Sequence, residues 1–210
     1  MTNFRSHRRL AMSSVAAAAL ALAGCTTTES EPTASTPLTS SAADSEGTKR
    51  DATAFQASDD AMTGVPTGTA PQSADASPDA ALTITDMLVT SHEGFDRVTY
   101  ELSGTGTPGW RADIVEAAIQ QGSGHTIPMH GQGILQVLID GSSIPSTIGV
   151  EPYSGPNPLE VENPGVVTEV QDAGVFEGTT QTLIGLSKPE TPFHVYTLSD
   201  PTRLVVDVAH

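Results

Sequence analysis

Basic residues are scarce in this chain. Nine Lys and Arg stand against 25 Asp and Glu among 210 residues, a formal net charge of −16. Phosphate backbones and anionic lipid headgroups are both gripped by clustered cations, so nucleic acid and a polybasic membrane contact are excluded as partners. There is one cysteine, Cys25, which excludes an intrachain disulfide framework and any multi-cysteine zinc site. Aromatic residues make up only 4 % of the chain, too few for one packed domain of this length, so part of it has no core. After residue 25 the apolar runs are about three residues long, as in Val137-Leu138-Ile139, far short of a membrane-spanning helix. No Gly-x-x-x-x-Gly-Lys phosphate loop is present. Gly104, Gly106 and Gly109 read as a turn rather than a dinucleotide site, and no cofactor is expected.

What is present begins with an address. Arg5, Arg8 and Arg9 precede an uncharged, Ala-rich stretch over residues 10–23, the charge order of a secretory signal. Arg8-Arg9 is followed by Leu10-Ala11, a poor match to a twin-arginine signal. The stretch ends in Leu22-Ala23-Gly24-Cys25, which resembles the lipobox of bacterial lipoproteins. That resemblance implies cleavage before Cys25 and a diacylglycerol on its sulfur. The thiolate is the nucleophile such a lipid transfer requires. Each buried methylene contributes about 0.8 kcal/mol, and two or more acyl chains make a stable anchor. The expected place of the protein is therefore the extracytoplasmic face of a cell membrane, held by lipid.

Residues 26–80 read as a disordered tether. They hold 11 Thr, 8 Ser, 11 Ala and 5 Pro, and only four large apolar side chains, Leu38, Phe55, Met62 and Val65. Such a composition cannot offset a backbone-ordering cost of about 1–2 kcal/mol per residue. As a flexible coil it would span about 40 Å. The expected organisation is a signal peptide over 1–24, lipidated Cys25 with its linker over 25–80, and a folded domain over 81–210.

The last 130 residues carry seven of the nine aromatics, with four basic residues against sixteen acids. Short alternating segments recur there between Gly, Pro, Asn and Asp clusters. They cover about 82–90, 97–102, 110–115, 133–140, 166–170, 180–186, 192–198 and 203–208. Val98, Tyr100 and Leu102 share one face, as do Leu135, Val137 and Ile139, and Leu204, Val206 and Val208. Eight short strands predict an all-β fold, a small antiparallel β-sandwich or barrel. Only 144–148 and 112–121 could hold a helical turn. Residues 151–164, with four prolines, read as a surface loop. Arg97–Leu102 and Arg203–Val208 share an Arg, apolar, any, apolar, acid, apolar pattern. Paired antiparallel in one register, Arg97 would face Asp207 and Glu101 would face Arg203, each opposite-charge pair contributing about 0.2–1 kcal/mol.

Gly94-Phe95-Asp96-Arg97-Val98-Thr99-Tyr100-Glu101-Leu102, Pro108-Gly109-Trp110, Thr191-Pro192-Phe193 and the run from Leu198 to Val208 resemble the AMIN-like domain of lipoproteins from high-GC Gram-positive bacteria. The resemblance spans about 81–210. It implies a β-sandwich of two small pseudo-symmetric sheets. It also implies a non-catalytic module that binds a cell-envelope component such as peptidoglycan, and it brings no catalytic residues with it. A scaffold that recognises a partner protein through strand edges or the 151–164 loop is the alternative.

The candidate chemistry is sparse. His125 and His130 straddle Pro128 and lack the spacing of a helical metal pair, so no metal site is expected. Gly122-Ser123-Gly124-His125 reads as a loop, and Glu101 with Asp207 as an ion-paired strand face, so no enzyme is expected. For a ligand, Arg97 or Arg203 could clamp a carboxylate, Trp110 could offer a plane to a sugar ring, and Tyr153 stands in the Pro-rich loop. Each has a structural alternative. The arginines can pair with Asp96, Glu101 or Asp207, and Trp110 can be core. The acidity of the domain also opposes acidic wall polymers.

Overall fold

The structure is a computed structural model that describes residues 64–210. The signal segment, Cys25 and the greater part of the expected tether lie outside the described residues.

All eight expected strands form, seven of them within three residues of their expected ends, while β7 runs six residues past its own. They are β2 (Ala81–His92), β3 (Phe95–Thr105), β4 (Gly109–Val115), β5 (Gly133–Asp140), β7 (Val167–Phe176), β8 (Thr179–Leu186), β9 (Phe193–Leu198) and β10 (Arg203–Ala209). Two more are short, β1 (Gln72–Ala74) and β6 (Leu159–Glu160). The single helix among the described residues is α1 (Pro145–Ile148), one of the two expected turns. The other expectation, a turn within 112–121, is corrected. Residues 112–115 are the end of β4, because pairing with β5 satisfies their backbone groups across a sheet rather than along a helix.

The strands form two antiparallel sheets, ordered β1-β4-β5-β8-β7-β6 and β2-β3-β10-β9. Alternation aims one face of each at the other. Val98, Tyr100, Leu102, Leu204, Val206 and Val208 from the smaller sheet share one buried cluster with Trp110, Leu135, Val137, Ile139, Val167, Ile184 and Leu186 from the larger. The expected register between the two arginine strands is the one observed: Arg97 stands opposite Asp207 and Arg203 opposite Glu101.

Connections close the sides of the sandwich. Ser143 N–H donates to Leu82 O at 2.8 Å and Tyr153 N–H to Ile84 O at 2.8 Å, so the chain leaving β5 covers the β2 edge. On the other side Gln72 acts as a surrogate strand. Its side-chain amide donates to Phe193 O at 2.7 Å and accepts from Val195 N–H at 3.1 Å along the β9 edge. Unpaired edges invite association, and these contacts cover the start of β2 and the start of β9. Gln72 also marks where the ordered fold reaches back into the segment read as tether. β1 pairs with β4 through Gln72, Ser73 and Ala74, although its composition lacks any strand signal.

The outer face of the larger sheet carries a strap, residues 116–132, of which the sequence marks only 122–125 as loop. Gln181 holds it. Its amide donates to Ile119 O at 2.9 Å and to Gln136 Oε1 at 2.8 Å, and its Oε1 accepts from Gln121 N–H at 2.8 Å. The strap then crosses Gly185, where a Cβ would collide with His130 O, so only glycine lets it lie this close. Gln181→Leu is expected to leave two strap backbone groups without partners, a local cost of about 1–3 kcal/mol. Hydrogen exchange at Gln121 should quicken tenfold or more, while the central strand β10 stays protected. Unchanged exchange at Gln121 would show that Gln181 does not hold the strap.

Candidate functional site

The four residues read as ligand contacts do not converge. Arg97 is 3 % exposed and its fork is occupied: Nε donates to Asp207 Oδ1 at 2.7 Å and Nη2 to Asp207 Oδ2 at 3.0 Å. The guanidinium also lies 5.3 Å from the Phe95 ring centroid and 5.8 Å from that of Tyr196. Arg203 is 2 % exposed, with Nε directed to Pro201 O at 3.4 Å. Trp110 is 7 % exposed and belongs to the core cluster. Tyr153 packs half-buried against that cluster and donates from its hydroxyl to Pro156 O at 2.9 Å. Burial, with the negative charge of Asp86 behind it, pushes the Tyr153 phenol above its ordinary value. For Arg97 and Trp110, then, the structural alternative describes what the side chain does, and Arg203 is buried on a strand position opposite Glu101. A ligand carboxylate would have to displace Asp207 to reach Arg97. The sequence could not separate the two uses, since an arginine in a strand has the same spacing in either.

One of the two remaining basic groups is committed as well. Arg111 holds Asp140 by two bonds, 3.0 and 2.9 Å, on the exposed face of β4, and Thr179 Oγ1 adds a third donor to that carboxylate. That leaves Lys188 on the turn after β8. The site that does exist is accordingly acidic. It is a half-open cleft of about 470 Å³ at the end of the larger sheet where β4 leaves and β5 enters. Ile114, Val115, Met129, Ile134 and Pro189 give it an apolar floor. Glu116, Glu190 and His130 stand on its rim. Its volume falls in the range of small-molecule and peptide-side-chain sites.

His130 is placed from beneath. Its ring Nδ1 lies 3.0 Å from Glu169 Oε2, and its backbone N–H donates to Glu169 Oε1. The Glu169 side chain is 2 % exposed whereas that of His130 is 78 % exposed, so a buried carboxylate orients an imidazole that faces outward. Thr168 Oγ1 donates to His130 O at 2.7 Å and fixes the same turn. No hydroxyl nucleophile joins this pair in the hydrogen bonds described: Ser123 Oγ, read in sequence beside His125, donates to Gln120 Oε1 at 2.8 Å. Among the described residues no group of three or more His, Cys, Asp or Glu side chains is placed to hold a metal ion.

The cleft was not legible in the sequence, where His130 drew notice only as a possible metal ligand. One signal was present. Glu169 is a lone acid within Val166-Val167-Thr168-Glu169-Val170, and a charge inside an apolar strand needs a partner.

No helix of the described residues is long and apolar enough to cross a membrane. No curated protein and no solved structure matches the chain. A family model does, over residues 82–210, from the second residue of β2 through β10 and the residue after it. That span takes in nearly all of both sheets, the strap and the cleft. The chain belongs to the AMIN-like domain family.

Proposed function

We infer that this protein is a lipid-anchored, extracytoplasmic binding module of the cell envelope that holds peptidoglycan without turning it over. The observation that carries the reading is the family match across 82–210, which spans the sandwich and its cleft. The leader and the Leu22-Ala23-Gly24-Cys25 tetrad support the anchor. The Thr/Ser/Ala/Pro stretch between Cys25 and the domain supplies the reach, about 40 Å for a flexible coil of that length. Arg97, Trp110 and Arg203 are the frame that holds the sandwich, and Tyr153 lies in the loop covering the β2 edge.

Two measurements test it. Labelled palmitate should enter the wild-type chain and fail to enter Cys25→Ala. Equal labelling of both would remove the anchor. The full-length Cys25→Ala chain should then sediment with purified sacculi. A chain that stays in the supernatant at every sacculus concentration would overturn the wall ligand.

A further inference from the structure

The cleft borders an open strand edge. β1 pairs with β4 only at Trp110, Arg111 and Ala112. Continuing that register would set Pro71 against Asp113, and proline has no N–H to donate. Among the described residues, Asp113, Ile114 and Val115 therefore pair with β5 on one side and with no strand on the other. Ile114 and Val115 are also part of the cleft floor, and Glu116 follows them on its rim. An unpaired edge running into a pocket with an apolar base and acidic lips has the elements of strand addition. Backbone groups supply affinity, and alternate side chains meet different surroundings.

We propose that the β4 edge and the adjoining cleft receive an extended segment of a partner polypeptide that carries both basic and apolar residues. The charge balance selects the sign. Residues 81–210 carry sixteen acids and four bases, and two of those bases, Arg97 and Arg111, are already held by Asp207 and Asp140. Asp113, Glu116 and Glu190 are exposed around the opening, with Lys188 the one basic residue on the adjacent turn. Successive residues of an added strand point to opposite faces of the sheet: those on the outer face meet Asp113, Val115 and Ile134, and those on the inner face meet Ile114, so each face offers apolar contact. Of the other edges, β2 is met by the chain after β5 at Leu82 and Ile84, β9 is met by Gln72 at Phe193 and Val195, β6 is two residues long, and none of them adjoins the cleft. This proposal does not depend on peptidoglycan binding: sacculus sedimentation reads whether the wall is held at all, and the peptide titration reads the β4 edge and its cleft.

The test titrates isotopically labelled full-length Cys25→Ala chain with a capped hexapeptide of alternating lysine and valine. Amide shifts are expected at 113–116, 129–134 and 188–190, with slowed exchange at Asp113–Val115. Glu116→Gln/Glu190→Gln should weaken binding at least tenfold. Both positions are exposed, so unchanged core shifts in this variant confirm its fold. A hexapeptide N-methylated along one edge should bind at least tenfold more weakly, and the glutamate–valine analogue should not bind. Shifts spread over other acidic surfaces, or equal binding of the N-methylated peptide, would overturn the proposal. So would displacement of the peptide by soluble peptidoglycan fragments that give the same shift pattern, because the occupant would then be the wall.

Discussion

Asp207→Ala should destabilise the domain by about 3–5 kcal/mol, a large fraction of the 5–15 kcal/mol that typically separates folded from unfolded protein. The carboxylate is 1 % exposed and takes both arms of the Arg97 fork. The Tyr196 hydroxyl approaches the same oxygen as Arg97 Nη2, at 3.4 Å. Truncation removes the one group that satisfies the guanidinium bidentately and leaves its charge in the sheet. The cost is that of an uncompensated charge rather than the net worth of the pair. Arg97→Met/Asp207→Leu removes both charges and should therefore cost much less than either single change. Urea unfolding reads both, as a shift of midpoint at constant slope. A loss under 1 kcal/mol for Asp207→Ala, or a double variant as unstable as the single, would show that the pair is solvated.

This pair also shows which parts of the fold a sequence carries and which it does not. Strand positions were legible because period-two alternation with β-branched residues has one reading in a short segment, and 133–140 came out with its observed ends. The register of β3 against β10 was legible because only one antiparallel alignment sets both arginines against acids. β1 was not, since three residues of Gln, Ser and Ala carry no alternation and become a strand only by pairing with β4. The cleft was not either. It depends on a strap whose course is set by Gln181, Glu169 and Gly185, three residues from two different strands. Nothing local to 116–132 announces those partners. The same blindness made Arg97 and Trp110 look available, because spacing records the type of a side chain and not what has already taken it.

Asp96→Ala is expected to cost about 2–5 kcal/mol, and the acid limb of the stability curve identifies the cause. Burial alone would push the Asp96 carboxyl up. The donors outweigh it: Val167 N–H at 3.0 Å, the imidazole of His210 at 2.9 Å, the Ser91 side chain and Val166 N–H at 2.7 Å. The net result is a carboxyl held below its ordinary value of 3.8. Two backbone groups at the start of β7 in one sheet are thereby satisfied by a side chain of β3 in the other, so the residue stitches the sandwich. Gly165 sits where a Cβ would land against the carboxylate oxygens, which keeps the approach open. Alanine at 96 leaves Val166 and Val167 N–H without acceptors in the interior. Because the folded value is depressed, the stabilisation from ionisation is fully present above the unfolded value near 4 and is lost as pH falls through the lower folded value. Wild type and Asp96→Ala should thus differ most at neutral pH and converge as pH drops below about 4. A gap that stays constant down to pH 2 would mean that the carboxylate's charge contributes nothing and that only packing was lost.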